Sequence, residues 1–184
     1  IFEMTKFFYE EKFTESLGHK MRYEYFDKIV NKYNAKYLFT AHHGDDLVET
    51  ILMRLVRGSS ISGYSGFESI VKNNSYTIIR PLITVTKDNI LEYLEKNKIP
   101  YVVDQTNFDT KYTRNRYRKY ILPKLKDENP LVHLKFLEYS ELLREYDEFV
   151  NEEVSLRYEQ VVNNNCIDIN KIKDNNILII KNII

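Results

Sequence analysis

Hydrophobic residues return along this chain at two different spacings, and the switch between them predicts most of its elements. Over residues 9–33, Phe13, Leu17, Met21, Phe26, Ile29 and Val30 recur at roughly helical spacing with charges between them, which predicts a helix. Residues 35–41 (AKYLFTA) predict a short buried strand. It runs into His42-His43-Gly44 and a second helix from about Asp45 to Val56, carrying Leu47, Val48, Ile51, Leu52 and Leu55 at helical spacing. A loop with Gly58, Gly63 and Gly66 follows, then a strand at 76–79 closed by Arg80-Pro81. Thr86 to Asn97 predicts a helix with Thr86 as N-cap and Asn89 in the capping-box position. Tyr101-Val102-Val103 reads as a short strand ending in Asp104. From about Tyr112 the chain is expected to be helical, to break near Pro123 and Pro130, and to resume as a long helix to about Gln160. The tail, 163–184, is rich in Asn and Ile and carries no assignable pattern.

Strands alternating with helices predict an α/β fold with a parallel sheet. Such sheets bind ligands beyond the carboxyl ends of their strands. By this pattern the polar groups at 42–46 and 104–107 both lie at such ends.

Composition narrows the picture. With 184 residues, 43% hydrophobic, the chain can bury one full core or a core plus a helical appendage. Basic and acidic residues balance at 27 each, so attraction to nucleic acid would have to be local. The local imbalance exists: residues 111–126 hold seven basic residues and no acidic one, with Tyr112, Tyr117 and Tyr120 among them. Residues 135–153 are acidic. The single cysteine, Cys166, excludes an internal disulfide framework or a CxxC site within this chain and fits a reducing compartment. No apolar run reaches the ~20 residues of a membrane span. The first residues carry neither an initiator Met nor a signal-peptide layout, so the chain is expected to begin inside a longer protein.

Three constellations carry chemistry. The stretch His42-His43-Gly44-Asp45-Asp46-Leu47-Val48-Glu49-Thr50 puts two aspartates where a helix begins, and Glu49 on the face they share. Three carboxylates and two imidazoles converging there could hold a metal, bind an ammonium ion or remove a proton. A capped, salt-bridged helix start explains one Asp and Glu49, but not two adjacent histidines. Next, Arg57-Gly58-Ser59-Ser60 through Gly66 is a Gly/Ser loop with an arginine, suited to phosphate or simply flexible. Last, Asp104-Gln105-Thr106-Asn107 is followed by Arg114-Asn115-Arg116-Tyr117-Arg118, where arginines suit phosphate and aromatics suit stacked bases. A solvated basic helix face is the plainer alternative.

Taken in order, HHxDDxxET at 42–50, the RG…G..G loop at 57–66, Arg80-Pro81-Leu82, DxTN at 104–107, and RNxxR followed by Leu122-Pro123 resemble the bacterial tRNA(Ile)-lysidine synthetases, members of the PP-loop ATP pyrophosphatases. Glu15 and Arg22-Tyr23 look like the E…RY helix of that family. The likeness covers roughly residues 10–130. The family's SGGxDS loop is absent, His19 stands at a usual Arg, and Ser60 at a common Gly.

The resemblance implies a Rossmann-like sheet of the adenine nucleotide alpha hydrolase type. It implies that residues 1–125 are the later part of a PP-loop α/β domain and 126–184 a helical linker or substrate-binding extension. It implies a cytoplasmic ligase that activates C2 of the wobble cytidine of tRNA(Ile), anticodon CAU, with ATP and Mg²⁺. Free L-lysine then attacks, and lysidine and AMP result. By this likeness the catalytic set is His42, His43, Asp45, Asp46 and Glu49, with Asp45 and Asp46 able to hold Mg²⁺. Substrate and phosphate binding falls to Arg57, Gly58, Arg80, Asp104, Asn107, Arg114, Asn115 and Arg118. A homodimer fits the likeness, a membrane partner does not, and without the SGGxDS loop the chain alone is expected to be inactive. The rivals are a tRNA-thiolating relative, for which paired cysteines are wanting, a metal-dependent phosphohydrolase, and a non-catalytic RNA-binding module.

Overall fold

The structure, a computed structural model, describes residues 15–163 and 166–184. They fall into two compact units: the described residues up to Ala41 with Glu68–Pro81, and His42–Phe67 with Leu82–Ile184.

The first unit is a helix and a three-stranded sheet. Helix α1 spans Glu15–Tyr33; the part of its predicted range before residue 15 lies outside the described residues. It stops because Asn34 turns left-handed (φ 47°), which lets the Ala35 N–H reach back to the Val30 carbonyl at 2.9 Å. Strands β1 (Tyr37–Phe39), β2 (Ile70–Lys72) and β3 (Thr77–Ile79) order as β1-β3-β2. β1 and β3 pair in parallel, with Leu38 opposite Ile78, but β2 runs antiparallel to β3. The expected all-parallel sheet is therefore corrected to a mixed one. The four residues 73–76 close a turn, with the Asn73 N–H on the Tyr76 carbonyl at 2.9 Å. That link is too short for the crossover a parallel pair requires. Val30, Tyr76 and Ile78 form the core of this unit, flanked by Tyr23, Ala35, Leu38 and Val71.

The second unit is almost entirely helical. α2 (Gly44–Arg57) buries Leu47, Val48 and Ile51 completely, at a gain of roughly 1.5–3 kcal/mol per side chain. α3 (Ile61–Tyr64) sits in the Gly/Ser loop. α4 (Lys87–Lys96) begins at the predicted capping box of Thr86 and Asn89. The strand expected at 101–103 does not form: no strand among the described residues pairs with it, and Val102 is 96% exposed. A 3-10 turn (Gln105–Phe108) precedes a continuous helical run made of α5 (Thr113–Arg116), a π turn (Tyr117–Ile121) and α6 (Leu122–Glu128).

Pro123 does not break this run as expected. It has no N–H to offer the preceding turn, and its ring crowds the carbonyl four residues back. The run widens instead, with the Leu122 N–H on the Tyr117 carbonyl, and Pro123 sits in the first turn of α6, where its missing N–H costs little. The break near Pro130 is real. Beyond it α7 runs from Val132 to Val161. Its Phe136 and Leu137 pack on the core of Leu47, Ile51 and Ile83. The tail forms a small hairpin, β4 (Val162–Asn163) with β5 (Cys166–Ile167), then α8 (Ile169–Ile172) and α9 (Ile177–Ile183), both against α7. No helix among the described residues is long and apolar enough to cross a membrane.

Candidate functional site

The site is built on the first two turns of α2. His43 is its N-cap: the Asp46 N–H points to Nδ1 at 3.4 Å, and the His43 N–H donates to Asp46 Oδ2 at 3.1 Å. Gly44 is required by a close approach, since a Cβ there would lie 2.9 Å from the Ile83 carbonyl and 3.0 Å from the His133 side chain. A local rule thus opens the helix, and a packed neighbour decides which residue follows the cap.

Glu49 is fully buried, yet it is held by charge. Arg118 grips it with both arms, Nε to Oε1 at 2.7 Å and Nη2 to Oε2 at 3.0 Å, and the same Nη2 reaches Asp46 Oδ1 at 3.3 Å. Such bidentate, charge-assisted bonds fix orientation as well as energy. Arg114 adds an ion-pair contact to Glu49 Oε2 at 3.5 Å and donates to Thr50 Oγ1 at 3.0 Å, while Thr50 donates to the Asp46 carbonyl at 2.7 Å. Burial pushes the Glu49 carboxyl above its ordinary range, and the Arg118 hydrogen bonds offset part of that. Burial works against the Arg118 charge, but the hydrogen bond to Glu49 and the charges of Glu49, Asp46 and Asp45 hold the guanidinium above its usual value. Burial likewise lowers His43, against the pull of Asp46 and Asp45, so its imidazole stays neutral below the usual histidine range.

Asp45 faces elsewhere. Its Oδ2 accepts from Lys126 Nζ and from the Lys87 N–H, each at 2.9 Å, the second a cap on the first turn of α4. Lys126 also donates to Asp88 at 2.7 Å. The expected convergence of three carboxylates and two imidazoles is therefore corrected. Asp46, Glu49 and His43 group around Arg118; Asp45 belongs to Lys126; and the His42 ring packs on Phe67 at 5.3 Å. Successive helical residues point about 100° apart, which a shared face for Asp45 and Asp46 overlooks. No group of three His, Cys, Asp or Glu residues that could hold a metal occurs among the described residues. Asp45 and Asp46, turned to different cations of the protein, do not fit a shared Mg²⁺.

A cavity of about 500 Å³ opens against this group, lined by His43, Lys87, Asp104, Asn107, Phe108 and Arg118 together with the 101–103 stretch. Asp104 caps the 3-10 turn through Thr106 and is held below the usual carboxylate range by the Thr106 backbone and side-chain hydrogen bonds. Asn115 donates to the Thr106 and Asp109 carbonyls, both at 2.9 Å, so it ties the 104–109 loop to α5. The two halves of the third constellation thus meet, with Asn115 as the link between them.

Other candidates lie apart. Arg57 and Gly58 end α2 in exposed positions, Gly58 with φ 84°. The arginine that holds the Gly/Ser loop is Arg54, whose Nη1 donates to the Gly63 and Gly66 carbonyls at 2.6 and 2.8 Å. Gly66 is needed twice over: its φ is 76°, and a Cβ would meet Leu47 at 2.7 Å. Ser140 of α7 donates to the Ser65 carbonyl below that loop. Arg80 belongs to the sheet unit, buried, with Nη1 on the Glu68 carbonyl at 2.7 Å and Nη2 on Tyr23 OH at 3.4 Å. That links the 22–23 and 80–81 motifs and spends those arms on the fold rather than on phosphate. Arg54 and Ser140 escaped the sequence reading, and Lys126 entered it only as one of the seven basic residues of 111–126. Arg54 and Lys126 carried only generic signals, as basic residues on helices, and Ser140 carried none.

A protein-family model described as PP-loop domain matches residues 3–125. The chain belongs to the PP-loop domain family. Within it, the sequence is similar to tRNA(Ile)-lysidine synthases. It is 47% identical over 135 residues to one from Bacillus cereus, covering 73% of this chain and 28% of the relative. To that of Bacillus subtilis (strain 168) it is 43% identical over 136 residues, 74% of this chain and 29% of the relative. To a bifunctional protein TilS/HprT of Listeria innocua it is 43% identical over 142 residues, 77% and 22%. The chain spans less than a third of the length of these curated relatives.

Proposed function

We propose that this chain supplies the lysine-handling part of a tRNA(Ile)-lysidine synthetase. Its residues 1–125 would belong to the Rossmann-like nucleotide domain, and 126–184 to a helical, substrate-binding extension. The observation that carries this reading is the pairing of Asp46 and buried Glu49 through one arginine beside the 500 Å³ cavity.

The reaction begins with ATP. The C2 carbonyl oxygen of the cytidine attacks the α-phosphorus and pyrophosphate leaves. The lysine ε-amine then adds at C2, the oxygen departs with AMP, and lysidine remains. Free lysine arrives as a cation, because an unperturbed ε-amine holds its proton up to a pH of about 10.4. It must therefore be recognised as ammonium and then deprotonated. Asp46 receives the cation, and buried Glu49 holds Arg118 in place beside it. His43, neutral and next to Asp46, accepts the proton. His42, packed on Phe67, is left a supporting role. In this reading Arg114 and Arg118 compensate the phosphate charge of the leaving AMP, and exposed Arg57, with Gly58, is offered to phosphate outside the cavity. Asp104 and Asn107 line the cavity opposite, where a base splayed from a single-stranded anticodon loop would sit. Exposed Lys111, Lys119 and Lys124 offer charge to the tRNA backbone. Any Mg²⁺ would come with the nucleotide phosphates, and no step here passes through it. The reading places the enzyme in the cytoplasm and allows a homodimer.

The test uses the complete reading frame that encodes this chain. Labelled lysine should be transferred to tRNA(Ile) bearing CAU only when ATP is present, with one AMP formed per lysine. Asp46→Asn should cut transfer about 100-fold, as expected for a lost charged contact, with the circular dichroism unchanged. An Asp46→Asn enzyme with full activity would end the assignment of Asp46. A folded wild type with no transfer would end that of lysine.

A further inference from the structure

Lys126 holds the one carboxylate of the acidic motif that Arg118 does not grip. Asp45 is 2% exposed, its Oδ1 has no hydrogen-bond partner, and its Oδ2 is met by Lys126 Nζ and the Lys87 N–H. Lys126 lies on the same helical run, 113–128, as Arg114 and Arg118. The run therefore touches the start of α2 at two places: Arg118 on Asp46 and Glu49, and Lys126 on Asp45. Arg118 and Lys126 are eight residues apart, which a regular α-helix would turn about 80° away from one another. The π turn at Tyr117–Ile121 takes up roughly one residue of helical phase. Eight residues then behave as seven, and the two cations face the same way. Lys126 Nζ also donates to Asp88 Oδ2 at 2.7 Å, a second carboxylate on the same ammonium.

We propose that Lys126 and Asp45 are positioning residues: their ion pair sets the register of the 113–128 helix on α2 and so fixes Arg118 over Asp46 and Glu49, while Asp45 itself does not touch substrate. The consequence for lysine recognition rests on the function proposed above, but the register itself does not.

The test uses the complete reading frame with Lys126→Met, Lys126→Arg, Asp45→Asn and the double variant Asp45→Asn/Lys126→Met. Lys126→Met strands a buried carboxylate, so amide exchange over residues 44–50 and 113–121 should quicken at least tenfold. The KM for lysine should rise about tenfold, with the KM for ATP within twofold. Lys126→Arg should restore both. The double variant removes the stranded charge and should come within about threefold of wild type, a non-additive result. Unchanged exchange in Lys126→Met would overturn the proposal. So would a double variant no better than the worse single one, since Asp45 would then be acting on substrate directly. If wild type transfers no lysine, the functional reading falls, and the exchange data still decide for or against the two-point contact.

Discussion

The two compact units bury their polar groups in different ways. In the sheet unit, Arg80 donates to a backbone carbonyl and a tyrosine hydroxyl. The Tyr76 hydroxyl donates to Asp27 at 2.5 Å, and its pKa is pushed up to about 12 by burial first and Asp27 second. Each of these bonds fastens one piece of chain to another. In the α2 unit, Asp45 and Glu49 are buried against side-chain charges of opposite sign and neutral His43 against Asp46; His43 lines the cavity, and Glu49 is held by the arginine that lines it. Buried hydrogen bonds of the first kind specify a fold. Buried charges of the second kind are costly to desolvate and are balanced by partners a charged ligand can compete for.

The largest expected effect that would sharpen this contrast is at Arg118. Arg118→Met leaves fully buried Glu49 without its bidentate partner. Breaking such a pair costs about 3–5 kcal/mol. The guanidinium is a third exposed, so the lower end, about 3 kcal/mol, is expected. A urea midpoint equal to wild type would erase the distinction between the units.

A smaller effect is expected from His43, and its sign is set by burial. The folded chain holds the imidazole below its unfolded value near 6.5. Stability from the neutral ring is therefore complete above pH 6.5 and is lost as pH falls through the folded pKa. His43→Asn keeps a good N-cap and has nothing to titrate. Urea midpoints between pH 7 and pH 5 should fall more steeply for wild type than for the variant. Parallel slopes would mean that this imidazole is not coupled to the fold.

The smallest effect belongs to the sheet unit. Tyr76→Phe removes one hydrogen bond and should cost about 1 kcal/mol, with lysine transfer by the complete reading frame unaltered. A loss of transfer there would break the comparison from the other side.

Much of this was legible in the sequence because it depends on near neighbours. The helix at 44–57, the cap at Thr86 with Asn89, the stop at Pro130 and the strands at 37–39 and 77–79 follow from spacing and capping chemistry within a few residues. The expected Tyr101–Val103 strand misled for a reason of the same kind. Three β-formers in a row satisfy a local preference, but a strand exists only where a neighbour accepts its hydrogen bonds. The antiparallel β2 was missed for the converse reason, since three residues carry too little pattern to announce a pairing.

The sequence by itself determined which residue types gather at the start of α2, and the family they mark. Only the tertiary structure decided how they divide. Asp45 and Asp46 are equivalent on paper, yet one is committed to Lys126, 81 residues away, and the other to Arg118, 72 residues away. Pro123 is a helix breaker by rule, yet here it sets the phase of a helix that continues. Local preferences act over a turn of chain. The pairing of a buried charge is settled by whichever opposite charge packing brings within about 3 Å, and packing is a property of the whole fold.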